Sequence, residues 1–512
     1  MDSQYTPRRS ESPNEPRPRR KLRRTGIDKF GIFALLLQLL ASAFLIFQLH
    51  ATQMLENIWL YVLIVVLALI NIIHMIVQLP LRYNKLGKLL CGLIAIVLSA
   101  GMLYASIATS SVQNAINKIS GMLTQKEITS VIVMADDPAQ TIEDAGDYTF
   151  GYLSDMPDDV LQDVFDKTKQ QLGYSIDTRA YTTSSELADA LYRGEVGAIL
   201  LNRGYISVLE KNDAFADFSE ETRILCEYTT EHQIVQSSSD KLDLSKPFVV
   251  YCSGIDARQS DINAKSLSDV NILAVVNPQT HKVVLINTPR DYYIRLNFNG
   301  EMDKLTHAGI YGIDESMNVL SDLYGVDISY YIRVNFNGLV DIVDALGGID
   351  VNSEYEFTTN RMVIPDETGE GFYRDSFSFT EGMNHLNGRE ALAFSRERYS
   401  FALGDVQRGK NQMAVIKAIV DKATSPSVLS NYRSLLNAVS DAFITNFTYD
   451  DIAALVKMQE KDMSGWHIDS YTVSGESGAE DTYSGDYAYV MYQDPELIAE
   501  AKDMIATVWR GE

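Results

Sequence analysis

Four arginines, two aspartates and a glutamine in the second half of this chain have the types and settings needed for phosphate chemistry. Asp256 stands in Ser253-Gly254-Ile255-Asp256, just after an apolar run, and Asp269 in Leu267-Ser268-Asp269-Val270-Asn271, just before another. Arg290 lies in Asn287-Thr288-Pro289-Arg290-Asp291 at the end of a third. Arg396 and Arg398 are two apart in Ala393-Phe394-Ser395-Arg396-Glu397-Arg398. With residues 391–397 read as a strand, both would share one face. Arg408 and Gln412 are four apart, where a helix is expected to begin, and so share one side. Arginine presents a rigid fork of donors that matches phosphate oxygens. Several on one site would neutralise a pyrophosphate even in an acidic domain. Two aspartates would hold Mg2+, which uses few protein carboxylates and takes phosphate oxygens as well. Metal and arginines would then stabilise charge developing on a leaving phosphate. Each residue alone has a plainer use, since an arginine beside a glutamate is usually a surface ion pair and an aspartate after a strand a turn residue.

Other chemistries find little support. There is no Walker P-loop, Rossmann glycine fingerprint, HExxH or EF-hand loop. The seven histidines do not cluster at ligand spacing. His307, in Lys304-Leu305-Thr306-His307-Ala308-Gly309, suits a structural hydrogen bond at least as well as catalysis. Gly475-Glu476-Ser477-Gly478 fails the nucleophile-elbow pattern, which argues against a Ser–His–Asp hydrolase. Cys226 and Cys252 could pair, but nothing in their spacing demands it.

The elements that must position these residues are α/β in character. Strands are expected at 248–252, 270–277, 282–287 and 329–334, with helices at 339–346, ended by Gly347-Gly348, and 409–422. This pattern implies a central mixed sheet with helices on both sides. Val415, Ile416, Ile419, Val420 and the run 339–346 are candidate walls for a lipid-tail groove, although core packing is their ordinary use. A smaller α/β segment precedes them over 126–231, with strands at 131–134 and 197–201 and helices at 158–172 and 185–192. A polar linker, 236–246, joins the two.

Three uncharged apolar runs open the chain, 30–49, 58–79 and 89–108. Each has about 20 residues, the length that spans roughly 30 Å of hydrocarbon. The tail carries Arg8, Arg9, Arg17, Arg19, Arg20, Lys21, Arg23, Arg24 and Lys29. The loop after the second run has Arg82, Lys85 and Lys88, whereas the loop after the first has no lysine or arginine. Basic loops stay in the cytoplasm, so everything beyond about residue 109 is expected outside the cell membrane. The whole chain has 44 basic against 68 acidic side chains and a net charge of −24. With its basic residues concentrated in the tail, the outer part is more acidic still, and no nucleic acid is expected as a partner. The expected organisation is a disordered basic tail (1–29), three transmembrane helices (30–109), an accessory α/β domain and linker (110–240) and a catalytic domain (247–512) with its motifs in 247–425.

From Phe248 onward the chain resembles the LytR–CpsA–Psr family. The phrases that carry the resemblance are Ser253-Gly254-Ile255-Asp256, Ser268-Asp269-Val270-Asn271, Thr288-Pro289-Arg290-Asp291, Asp303-Lys304-Leu305-Thr306-His307-Ala308-Gly309, Gly347-Gly348-Ile349-Asp350-Val351, Arg396-Glu397-Arg398 and Asp405 through Gln412. The three spans and the accessory segment resemble the capsule-type branch. The resemblance implies a phosphotransferase. It would take a glycopolymer, of capsular polysaccharide or teichoic-acid type, from an undecaprenyl-pyrophosphate carrier in membrane lipid and attach it to peptidoglycan through a phosphodiester. Carried over by motif, Asp256 and Asp269 match the Mg2+ site, and Arg290, Arg396, Arg398, Arg408 and Gln412 the pyrophosphate-binding set. One departure is Leu267, where the family often has arginine; Arg258 or Lys265 could replace it. Two alternatives remain: a non-enzymatic envelope sensor or regulator, and a polyprenyl-pyrophosphate pyrophosphatase using the same residues. The short tail has no DNA-binding motif.

Overall fold

In the computed structural model, residues 25–51, 57–80, 84–119, 124–234, 241–255, 262–365, 372–425, 442–485 and 487–512 are described. The apolar runs form helices α1 (Gly26–Ala51), α2 (Asn57–Gln78) and α3 (Lys85–Ile119). Each contains a stretch long and apolar enough to cross a membrane, as a membrane anchor requires. Their few polar side chains pair with one another: Gln38 with His74 at 2.5 Å, Asn71 with Ser42 at 3.1 Å, and Lys88 with Asp28 at 2.6 Å. Such pairing is what hydrocarbon demands of polar groups on neighbouring helices. Residues 1–111 form one compact unit and 112–512 another.

The second unit begins with the accessory domain: β1 (Thr124–Met134), β2 (Thr149–Leu153), α4 (Asp158–Leu172), β3 (Asp177–Tyr181), α5 (Ser184–Tyr192), β4 (Ala198–Asn202), the short helices α6 (Ile206–Leu209) and α7 (Phe218–Glu221), and β5 (Thr222–Gln233). Its five strands run in the order β3-β2-β4-β1-β5. β4 is central, and β1 lies between β4 and β5, antiparallel to both. Helix α4 buries Val160, Val164 and Thr168, one face at helical spacing, and stops at Gly173 in the left-handed region.

The larger α/β domain, the one expected to be catalytic, follows. It contains β6 (Phe248–Ile255), β7 (Val270–Asn277), β8 (Lys282–Asn287), β9 (Tyr293–Arg295), β10 (Met302–Lys304), α8 (Leu305–Tyr311), α9 (Ile313–Tyr324), β11 (Tyr330–Asn335) and α10 (Phe336–Ala345). Short strands β12 (Ile349–Ser353), β13 (Phe357–Thr358), β14 (Met362–Pro365), β15 (Phe372–Asp375), β16 (Ser378–Phe379) and β17 (Gly382–Leu386) pair among themselves. Then come α11 (Gly388–Arg396), α12 (Asp405–Ala423), β18 (Phe443–Thr445), a helix Tyr449–Asp462, β19 (His467–Thr472), a hairpin and a last helix, Pro495–Arg510. The main sheet is mixed, in the order β18-β11-β6-β7-β8-β19, with β11 parallel to β6 and β19 parallel to β8. Strand alternation divides its side chains between two cores. Val249, Tyr251, Leu273, Val275, Val284 and Ile286 face α8, α9 and the last helix. Ile272, Val283 and Leu285 face Met413, Ile416 and Val420 of α12.

One expectation is corrected. Residues 391–397 are helical, not a strand. Asn387 accepts from the Glu390 backbone while the Glu390 carboxylate accepts from the Asn387 backbone, a reciprocal cap that starts α11. Ala391-Leu392-Ala393-Phe394 has no β-branched residue to oppose it. Arg396 and Arg398 are therefore not neighbours on a strand face. Of the candidate groove walls, Val415 is buried with Val343 and Leu346, while Ile416, Ile419 and Val420 are half-buried. All three cysteines, Cys226 and Cys252 included, are free thiols.

Candidate active site

The register of the main sheet gathers the motif-bearing loops at one end. Gly254 pairs with Val270, Ile272 with Asn287, and Asn335 with Ile255. The end of β6, the start of β7 and the ends of β8 and β11 therefore lie side by side, so Asp269 and Thr288-Pro289-Arg290 leave the sheet at the same edge. Backbone bonds fix both: Asp269 N donates to Gly254 O at 2.8 Å, Thr306 N to Arg290 O at 2.8 Å and Ser268 N to Thr306 O at 3.1 Å. The start of α8 thus clamps the two loops together. Helix α12 brings the third member. A β-carbon on Gly409 would lie 2.0 Å from Asn287 Nδ2, so only glycine lets the first turn of α12 sit against the end of β8 and hold Arg408 beside Arg290.

Arg290 Nη1 donates to Asp269 Oδ1 at 2.7 Å, and its Nε lies 3.6 Å from Asp291 Oδ2 with no hydrogen-bond partner although buried. Lys304 Nζ pairs with Asp291 at 3.2 Å, and Arg408 Nη2 with Asp405 at 2.5 Å. Burial works to raise the pKa of Asp269, but Arg290, Arg408 and Lys211 outweigh it and hold the carboxyl below its usual range. Burial likewise opposes the charge on Arg290, yet Asp269 and Asp291 raise its pKa on balance. Arg408 goes the other way: burial, with repulsion from Arg290 and Arg398, lowers its pKa despite the attraction of Asp405. Cations crowded until one is destabilised, with a donor left unpaired, make a site that an anion would relieve.

The structure thus brings Asp269, Arg290 and Arg408 together, with Arg398 near enough to repel Arg408. The Arg398 guanidinium lies 4.6 Å over the Tyr399 ring and bonds its hydroxyl. Arg396 is engaged elsewhere, 4.0 Å over the Phe336 ring and donating to Val363 O at 2.7 Å. Gln412 is half-buried, one turn beyond Arg408 on α12. Asp256 and Arg258 lie outside the described residues. Lys265 does not stand in for the arginine that Leu267 replaces, because it pairs with Glu127 of the accessory domain at 2.8 Å. Leu267 itself packs on the accessory core. His307 has the structural bond expected for it, Nδ1 to Asp303 at 2.6 Å. Among the described residues no cluster of three or more His, Cys, Asp or Glu could hold a metal. The single ionised carboxylate of Asp269 still fits Mg2+, which takes one or two carboxylates and fills its sphere with phosphate oxygens and water. Lys304 and Lys211 were not read as site residues. Lys304 stands in Asp303-Lys304-Leu305-Thr306-His307, whereas nothing in the sequence around Lys211 marks it.

Residues 218–504 match the LytR_cpsA_psr family model. The chain belongs to that family. Among its curated relatives is the polyisoprenyl-teichoic acid–peptidoglycan teichoic acid transferase TagU of Enterococcus faecalis, 34% identical over 218 residues, 42% of this chain and 67% of the relative. TagU of Bacillus cereus is 35% identical over 218 residues, 42% of this chain and 66% of that one. The chain therefore spans about two thirds of the length of these relatives. A crystal structure of B. subtilis TagV is 23% identical with a TM-score of 0.42, covering 52% of this chain and 98% of that one. The LytR_cpsA_psr match begins ahead of β6, in the closing part of the accessory domain, and takes in the site residues named above apart from Lys211.

Proposed function

We propose that this protein is a membrane-anchored phosphotransferase that moves a glycopolymer from a polyprenyl-pyrophosphate carrier to peptidoglycan, forming a phosphodiester. The observation that carries this reading is the convergence of Arg290 and Arg408 on ionised Asp269 at the edge of the main sheet. Family membership and the transferase names of its relatives point the same way. Arg290, oriented by Asp269 and Asp291, and Arg408, oriented by Asp405, bind the pyrophosphate oxygens. Arg398 adds a further cation. A hydroxyl of peptidoglycan attacks the phosphorus nearer the glycan and loses its proton. The bond from that phosphorus to the bridging oxygen breaks, and polyprenyl phosphate leaves. Arginines held in place beforehand by these carboxylates stabilise the charge that grows on the bridging and terminal oxygens. Mg2+, held by Asp269 and by Asp256 as the family resemblance implies, would supply further charge neutralisation when bound. The anchor keeps the site at the membrane that holds the carrier, on the outer face by the lysine and arginine asymmetry of the loops.

The test is full-length protein in detergent with a lipid-pyrophosphate glycan, with and without peptidoglycan. Glycan transferred to peptidoglycan is the expected result. Phosphate release regardless of acceptor would make it a pyrophosphatase, and no turnover of either kind would favour a sensor.

A further inference from the structure

The accessory domain is fastened to the catalytic domain beside the arginine site. Ser184 Oγ, at the start of α5, donates to Ser484 O at 3.1 Å. Tyr205 and Tyr311 share a hydrogen bond of 2.9 Å, and Tyr311 another of 2.9 Å with Ser484 Oγ. Ser484 in turn donates to Asp303, which holds His307. The network runs from the accessory domain to the first turn of α8, the turn that clamps the Asp269 and Arg290 loops.

Beside it is a cavity of about 250 Å³, lined from the accessory side by Lys211, Asn212 and Asp213 and from the catalytic side by Lys304 and His307. Lys304 links the cavity to the arginine site, through Asp291 at 3.2 Å and on to Arg290. Lys211 stands in the turn after α6, where Lys211 N donates to Val208 O at 3.2 Å. It is exposed at the cavity lining, and among the described residues its ammonium group has no ion-pair or hydrogen-bond partner. An ordinary surface lysine would be solvated and indifferent to the interior. This one lies within electrostatic reach of Arg290, Asp269, Lys304 and Asp291.

We propose that Lys211 completes the phosphate site from the accessory domain, and that the cavity between the two domains takes a phosphate group of the substrate on Lys211 and Lys304. This inference rests on the pyrophosphate reading of the arginine site. It gives the accessory domain a direct part in substrate binding. A lysine acts here as a point charge, so arginine at 211 would serve and a neutral side chain would not.

The experiment measures inorganic pyrophosphate binding to the full chain in detergent by calorimetry, for wild type, Lys211→Met, Lys211→Arg and Arg408→Lys. Loss of one charge-assisted contact should weaken binding to Lys211→Met by about tenfold or more and lessen its salt dependence, with Lys211→Arg near wild type. Binding by Lys211→Met within twofold of wild type, with Arg408→Lys clearly weakened, would overturn the role of Lys211 alone. Wild-type binding by both would overturn the pyrophosphate site itself and this inference with it. Equal weakening in Lys211→Met and Lys211→Arg, with lowered melting temperatures, would make the lysine structural and likewise overturn it.

Discussion

Gly309→Ala tests whether the seat of α8 sets the active site. A β-carbon there would lie 2.4 Å from the Ser266 carbonyl oxygen and 3.1 Å from Ser268 N. Ordinary contact begins at 3.4 Å, so helix and loop must part by about 1 Å. Alanine favours helix over glycine by about 1 kcal/mol, which works for the variant. The atoms in the way are backbone, which cannot swing aside, and overpacking of this kind costs about 1–3 kcal/mol. The clash should win, by up to about 2 kcal/mol, and the protein should still fold. The larger effect is on turnover. The displaced backbone carries Ser268, next to Asp269, while the bond from Thr306 N ties α8 to Arg290. A misplacement of about 1 Å at a reacting centre costs up to roughly a hundredfold in rate. Denaturant melting and glycan transfer by the full chain are the assays. Gly465→Ala, with no atom within 4 Å of its β-carbon, is the control and should match wild type in both. If Gly309→Ala melts like wild type and turns over within twofold of it, the seat does not position the site and the reasoning fails.

Arg398→Lys should lower turnover by about tenfold or more at unchanged melting temperature, because an ammonium lacks the planar fork. Arg396→Lys should lower stability by about 1 kcal/mol, losing the Phe336 stack and the Val363 bond, and affect turnover less; equal kinetic losses would return both arginines to the phosphate site. Chelation should abolish transfer and added Mg2+ restore it, whereas Asp269→Asn should stay inactive at any Mg2+ concentration; full activity in chelator would remove the metal from the reaction. A reporter fused after Leu86 should remain cytoplasmic and one after Ser120 be exported, and export at Leu86 would overturn the assigned sidedness.

Where a local pattern decided the outcome, the sequence was readable. Residues 270–277 and 282–287 alternate or run apolar between turn residues, and they are strands. β2 and β3 were not anticipated: β2 is interrupted by Gly151, and β3 is a short polar edge whose residues are mostly exposed, so neither carries a strand pattern. Residues 391–397 misled because a short apolar run cannot distinguish strand from buried helix, although Asn387 and Glu390 at capping-box spacing favoured the helix. In the site, Asp269, Arg290 and Arg408 announced themselves by motif. Lys211 did not, since only the docking of a separate domain brings it within electrostatic reach of Asp269, and neither periodicity nor spacing encodes that approach.

The helix Pro495–Arg510 carries a consequence for how this protein is made. Ile498, Ala501, Ile505 and Val508 fill the same core as Val275 and Val284, and Asn277 Nδ2 bonds Val508 O at 2.9 Å across 231 residues of chain. Early strands therefore wait for the last turn before their apolar faces are covered. Contacts so distant in sequence form slowly, and uncovered strands aggregate meanwhile. Synthesis halted before residue 498 leaves a product with every arginine of the site in place and no closed core to hold them, a substrate for quality-control proteases rather than a weakened transferase.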